Sequence, residues 1–225
     1  MDSSLIRSHS LFSAISQEAA EGLLALMTPL RLQRGHVLFR QGDRGDRLYL
    51  IKSGSIKLGT ISSDGRESLL DILGRGEMIG ELTLFDPGPR TATATAVLTA
   101  DLLELSHAEM GKWIAANPTA ARQLLAALAR RLRRTDAALG DLVFTDVPGR
   151  IAKTLIDLAE RFGEVTSKGV LVNHGLTQEE LAQLVGASRE TVNKALSEFI
   201  SRGWVTLEGR GACWLDLEQL SRRAR

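Results

Sequence analysis

The stretch Thr177-Gln178-Glu179-Glu180-Leu181-Ala182-Gln183-Leu184-Val185-Gly186-Ala187-Ser188-Arg189-Glu190-Thr191-Val192-Asn193-Lys194 decides how the C-terminal part of the chain folds. Thr177 and Glu180 have capping-box spacing: the threonine hydroxyl accepts from the Glu180 amide while the carboxylate returns to the Thr177 amide. The helix they start carries Leu181, Ala182 and Leu184 and stops at Gly186. Ser188 then opens a second helix, with Val192, Leu196, Phe199 and Ile200 as its apolar stripe. Two short helices, a glycine turn and a small residue at Ala182 are what a helix-turn-helix requires.

On the second helix Arg189, Glu190, Asn193 and Lys194 project away from that stripe. Arg189 can give paired hydrogen bonds to guanine O6 and N7, and Glu190 can accept from a cytosine amino group. A glutamate facing phosphates is unfavourable unless it reads a base, so its presence is informative. Lys194 reaches a base or a phosphate, and Thr177, Ser188, Thr191 and the helix amides are phosphate contacts. The same pattern also fits a solvated face on a protein-binding winged helix. The capping box, the Gly-Ala turn, the segments after it and an expected dimer together favour double-stranded DNA. Those later segments, Gly203 to Gly211 and Ala212 to Leu217, read as two strands around a glycine turn, the wing of a winged helix. Arg222, Arg223 and Arg225 read as a solvated basic terminus.

Upstream, Asn117-Pro118 reads as a helix start, Asn as cap and Pro in the first turn, with no further proline until Pro148. Ala121, Leu125, Leu128, Leu132, Thr135, Leu139 and Leu142 alternate in steps of four and three, the a/d spacing of a coiled-coil seam. The spacing fits an amphipathic helix packed on its own domain, but the sustained repeat and the flanking Arg130, Arg131, Arg133 and Arg134 favour a parallel homodimer. Asp146-Val147-Pro148-Gly149 reads as a hinge.

Between Arg31 and about Leu105 short β-type runs (Val37 to Phe39, Leu48 to Ile51, Ser55 to Leu58, Leu69 to Leu73, Thr93 to Leu98) alternate with glycine turns. They predict an antiparallel jelly-roll-like β-roll, preceded by a helix from about Ser16 to Met27. The fold class is thus α+β, with boundaries at 1–116 for the β-roll, 117–146 for the dimerisation helix and 147–225 for the winged helix-turn-helix.

Within the β-roll lies Gly80-Glu81-Leu82-Thr83-Leu84-Phe85-Asp86-Pro87-Gly88-Pro89-Arg90-Thr91. Free amides after a glycine, an arginine fork and a threonine hydroxyl make a phosphate cradle, and Glu81 suits a ribose 2′-hydroxyl. Read from the residues alone, a turn closed by a Glu81–Arg90 ion pair fits equally well.

The net charge of the 225 residues is +1, so a nucleic-acid partner must be held by local clusters rather than overall charge. Cys213 is the single cysteine, which excludes an internal disulfide framework and a Cys-rich metal or iron–sulfur site. His9, His36, His107 and His174 lack ligand spacing, and neither haem nor metal is expected. No segment approaches the ~20 apolar residues that cross a bilayer, so a cytoplasmic protein without a membrane partner is expected. A catalytic constellation is also missing, which sets aside an enzyme or an enzyme's nucleotide-binding regulatory subunit.

Gly80-Glu81-Leu82 with Pro89-Arg90-Thr91, then Arg130-Arg131-Leu132-Arg133-Arg134-Thr135, then Gly186 to Val192, occur in the order that resembles the cyclic-AMP receptor protein family within the CRP/FNR superfamily. Phe144 to Arg150 resembles its actinobacterial branch. The resemblance covers essentially the whole chain. It implies a cyclic-nucleotide-binding β-roll, a dimerising helix and a winged helix, with cyclic AMP as allosteric effector. It further implies that Arg90 and Thr91 hold the cyclic phosphate, that Gly80, Glu81 and Leu82 engage phosphate and ribose, and that Thr135 and the partner chain's Asp136 position meet the adenine. Two residues depart from the family's usual pattern: Asp71 stands where a small hydroxyl residue faces the ligand, and Asp136 where Ser or Asn is usual. The resemblance also implies a TGTGA-like half-site and RNA polymerase as a candidate partner through the loop Gly163 to Gly169. Ligand binding beneath the long helix is expected to select one seam packing and reorient the winged helices about Pro148-Gly149.

Overall fold

The computed structural model describes residues 16–62, 64–65, 67–166, 169–208 and 212–224. The predicted wing turn Gly209 to Gly211, Arg225, and the side chains of Leu128, Arg130, Arg131 and Arg134 lie outside the described residues. The chain divides into two compact units, Met1–Thr60 with Ile72–Asp136 and Ile61–Asp71 with Ala137–Arg225.

The first unit opens with α1 (Gln17–Ala25), whose cap Ser16 accepts from the Ala19 amide at 3.2 Å. Strands β1 (Thr28–Leu32), β2 (Val37–Phe39), β3 (Arg47–Ser53), β4 (Ile56–Ile61), β5 (Glu67–Leu73), β6 (Met78–Ile79), β7 (Thr93–Ala96) and β8 (Ala100–Ser106) follow, with a one-turn helix α2 (Leu82–Phe85) between β6 and β7. They form two four-stranded sheets, ordered β1-β8-β3-β6 and β2-β7-β4-β5. This is the β-roll expected from the turn spacing. β3 shows why its apolar run is continuous rather than alternating: side chains alternate between faces, and both faces are covered. Tyr49 and Ile51 pack into the core between the sheets with Leu102, Ala94 and Ile79, while Leu48 and Leu50 pack with Leu23, Met110 and Trp113 from the flanking helices.

One of those helices, α3 (His107–Ala116), went unread, although Ser106 and Glu109 form a complete capping box. Asn117 closes that helix, its Nδ2 donating back to Trp113 O at 2.8 Å. The next helix, α4, runs from Pro118 to Phe144 without interruption.

In the second unit two residues separate the end of α4 from α5 (Val147–Phe162). Asp146 caps it, accepting from the Gly149 amide at 2.9 Å and pairing with Arg223 at 2.6 Å. Pro148 and Gly149 therefore lie inside the first helical turn, where proline's missing donor costs nothing, and the break between helices is Thr145-Asp146. A four-stranded sheet, β9 (Gly163–Thr166), β10 (Gly169–Asn173), β11 (Val205–Leu207) and β12 (Ala212–Leu215), runs β11-β12-β10-β9. The segment read as the loop Gly163 to Gly169 is thus largely an edge strand, paired Val170 to Val165 and Leu171 to Glu164. The helices α6 (Gln178–Val185) and α7 (Arg189–Ser201) lie between the sheet's halves, and α8 (Leu217–Arg223) closes the unit with Leu220 fully buried. Arg222 and Arg223 thus stand in the last turn of a capped helix, Arg222 exposed and Arg223 paired with Asp146.

His174, at 7% exposure, accepts from the Leu176 amide through Nδ1, and burial pushes its pKa down to about 4 from 6.5. A histidine buried neutral stabilises the fold above its unfolded pKa and loses that contribution as pH falls toward its folded pKa. Stability of the second unit should fall by about 3 kcal/mol between pH 6.5 and about 4. Thermal melts across that window should show a shallower loss in His174→Asn.

Candidate functional site

In the first unit the residues of the glycine-to-arginine stretch converge. Gly80 adopts φ +85°, reachable without strain only by glycine, and a Cβ there would clash with Arg90 Nη1 and stand 2.8 Å from Arg47 O. Arg90 is 5% exposed. Its Nη1 donates to Gly80 O at 3.3 Å and to Thr83 Oγ1 at 3.2 Å, its Nη2 donates to Arg47 O at 2.7 Å, and its guanidinium lies 4.2 Å over the Phe39 ring. Desolvation is the main influence lowering the Arg90 pKa, opposed by Tyr49, Asp46 and Glu81.

These contacts clamp one edge of the guanidinium. The other keeps Nε–H, buried and without a partner. A desolvated cationic donor left unpaired is costly, so the cradle is arranged to offer it to an acceptor. A cavity of about 40 Å³ lies there, lined by Gly80, Glu81, Leu82, Thr83, Arg90 and Thr91 along with Phe39 and Leu58. Glu81 is 4% exposed, whereas Leu82 and Thr91 are exposed. The residues present fit a phosphate beside a hydroxyl: a bound anion would meet the Arg90 guanidinium and the Thr91 hydroxyl, and the Glu81 carboxylate stands in the same lining as an acceptor for a sugar hydroxyl. Thr83, Phe39 and the Arg47 carbonyl were not read as site residues. Thr83 lay within the quoted stretch, but Phe39 and Arg47 reach the site only through sheet pairing.

Three other residues are placed differently. Thr135 and Asp136 sit on α4, exposed, and do not line this cavity. Asp71 accepts from Arg161 Nη1 of α5 at 3.0 Å, both residues belonging to the second unit.

The helix-turn-helix is built as its capping pattern requires. Thr177 and Glu180 close both halves of their box, Gly186 ends α6 at φ 69°, ψ 46°, and Ser188 caps α7 through the Thr191 amide at 3.2 Å. Leu181, Ala182, Val185, Val192, Ala195, Leu196 and Phe199 are buried. Ile200, expected in that stripe, is 40% exposed because it lies one position past the stripe's edge. Thr177, Ser188, Arg189, Glu190, Thr191 and Lys194 are all exposed. Asn193 is set back, with its Oδ1 buried and unpaired. Arg150, not singled out for this role, fixes the turn from α5: it donates to Val185 O at 3.0 Å, Gly186 O at 3.3 Å and Thr145 O at 2.8 Å. A guanidinium there satisfies the orphan carbonyls of two helix ends and opposes their negative dipole.

The cyclic nucleotide-binding domain matches residues 29–117, and the Crp-like helix-turn-helix domain matches residues 149–223. The chain is 50% identical over 225 residues, the full length of both proteins, to the CRP-like cAMP-activated global transcriptional regulator of Mycobacterium tuberculosis strain H37Rv. The chain belongs to the cyclic-AMP receptor protein family. It is also 35% identical over 175 residues to the cAMP-activated global transcriptional regulator CRP of Escherichia coli O6:H1, covering 77% of this chain and 82% of that one. Among solved structures, the c-di-GMP responsive global regulator CLP of Xanthomonas campestris aligns over 89% of this chain and 99% of its own, with a TM-score of 0.72 and 28% identity. The family's members are DNA-binding transcription regulators and not enzymes. No described helix is long and apolar enough to cross a membrane.

Gly80→Ala should cost about 1–2 kcal/mol from its left-handed backbone alone and displace the Arg90 guanidinium. Melting of the full chain and nucleotide titration would show a modest stability loss together with a disproportionate loss of binding.

Proposed function

We propose that this regulator is a homodimer that binds cyclic AMP in the β-roll and in that state reads a near-palindromic, TGTGA-like operator through Arg189 and Glu190. The observation that carries the effector reading is the half-used guanidinium of Arg90, which keeps a buried Nε–H without a partner and lines a cavity together with Glu81 and Thr91. Asp71 does not weaken that reading, because its carboxylate is engaged by Arg161. The bound nucleotide would supply the anion and the ribose hydroxyl, and the chain's own groups would orient it.

The dimer reading rests on α4. Leu125, Leu132, Leu139 and Leu142 are 64%, 62%, 58% and 51% exposed, an apolar stripe repeating at the heptad period. A second copy of the same helix is the partner that this repeat fits, and it would bring Thr135 and the partner's Asp136 position toward the adenine. Two recognition helices related by a two-fold axis address half-sites ~34 Å apart. Only a ligand that binds the DNA-competent arrangement more tightly can favour it. The edge strand β9, with Val165 88% exposed, is the surface assigned to RNA polymerase.

Titration with cyclic AMP, cyclic GMP and cyclic di-GMP, using the full chain and Arg90→Ala, tests the effector. Cyclic AMP should bind the wild type in preference to the others and fail to bind the variant, while the variant keeps its folded spectrum and its oligomeric state. Binding that survives in Arg90→Ala would remove the pocket assignment. Leu132→Lys should shift the dimer to monomer in sedimentation. Arg189→Ala should lose ~1–3 kcal/mol of discrimination at one G·C pair rather than weaken all sequences alike.

A further inference from the structure

The cradle is backed by a histidine to which no role has been given. His107 opens α3, its amide donating to Asp46 O at 2.9 Å. Its Nε2 is buried and has no hydrogen-bond partner. Ser106, the residue before it, pairs with Arg47 across β3 and β8, and the Arg47 and Gly80 carbonyls, which hold the Arg90 guanidinium at 2.7 and 3.3 Å, are among the groups that act on the ring. An imidazole and a guanidinium therefore sit about one pair of carbonyls, of which the guanidinium holds both.

We propose that His107 is a positioning residue of the phosphate cradle that takes up a proton when a cyclic phosphate binds, so that nucleotide affinity depends on pH; this rests on the reading of the cradle as a nucleotide site. Burial first, and then the neighbouring Arg90 cation, hold His107 below the ordinary histidine range, while the Gly80 and Arg47 carbonyls and Asp46 pull the other way. Every charged group around it has an assigned place. Arg90 comes from the segment before β7, Asp46 and Arg47 from the start of β3, Glu81 and Tyr49 act on Arg90, and Glu109 on α3 is engaged by Ser106.

A phosphate on the Nε edge of Arg90 offsets the cation that most disfavours a charged imidazole. The imidazolium then forms beneath the cradle, where the Gly80 and Arg47 carbonyls favour its charged form. A pKa that rises on binding means a proton is taken up, and by linkage affinity increases as pH falls through the bound-state value.

The test is calorimetric titration of the full chain with cyclic AMP near pH 6 in buffers of different ionisation heats, repeated across the pH range. Proton uptake is expected, with affinity about three- to tenfold tighter at about pH 5.5 than at about pH 7.5. His107→Gln keeps a donor but cannot titrate, and should bind with affinity flat across that window. Affinity independent of pH in the wild type, or uptake unchanged in His107→Gln, would overturn the proposal. Should His107→Gln fail to fold, the His107 ring resonance of the wild type decides: its titration midpoint should rise on adding cyclic AMP and, separately, in Arg90→Gln without nucleotide, and a midpoint unmoved in both would overturn it. Failure of any cyclic nucleotide to bind would instead remove the effector reading on which the proposal rests.

Discussion

A guanidinium taken almost wholly out of water needs acceptors, and the N-terminal unit is arranged to give Arg90 just enough of them. Burying a cation costs several kcal/mol unless its donors are satisfied. Gly80 O, Arg47 O and Thr83 Oγ1 satisfy one edge, and the Phe39 face covers the plane. Each of these contacts makes its own demand on the fold. Gly80 must take a left-handed conformation at the end of β6, Arg47 must begin β3 alongside Ser106, and Phe39 must reach in from the opposite sheet, where it lies 6.1 Å from Tyr49. The β-roll is the scaffold that brings three distant segments to one charge, and the donor edge left over is the group that a ligand can use.

The second unit solves a related problem with another arginine. Arg150 gathers the carbonyls of Thr145, Val185 and Gly186, so the end of α4, the first turn of α5 and the turn of the helix-turn-helix are tied through one side chain. An added Cβ on Gly186 would stand 3.1 Å from Leu142, which places the last seam leucine against the turn it helps to support. Reorienting α4 residues in this unit therefore bears directly on the base of the recognition helix α7. Arg189 and Glu190 open that helix on its exposed side.

What was legible in the sequence follows from whether a signal is local. The Thr177–Glu180 box, the Gly186 stop and the long helix after Pro118 depend on residues within a few positions of one another, and they read correctly. The box at Ser106–Glu109 was equally local, yet it was overlooked where a strand runs straight into its helix. Val165 and Val170 sit among glycines and charged residues, and only the ladder to β12 makes β10 a strand rather than a loop. Asn117 shows the limit of residue preference, since one amide can close the helix behind it as well as open the one ahead. The directions of Asp71 and Thr83 and the approach of Phe39 are tertiary facts: a partner far along the chain chooses them, and no spacing encodes that choice.

Energetic coupling between the Arg90 cradle and the Arg189 helix is what the proposed regulation requires, and coupling between two ligands is reciprocal. The most direct measurement is the affinity of the full-length protein for its operator with and without saturating cyclic AMP, paired with its affinity for cyclic AMP with and without operator. Both should tighten by the same factor, about 5- to 150-fold. Operator affinity unmoved by cyclic AMP would contradict that coupling, even if each ligand bound well alone.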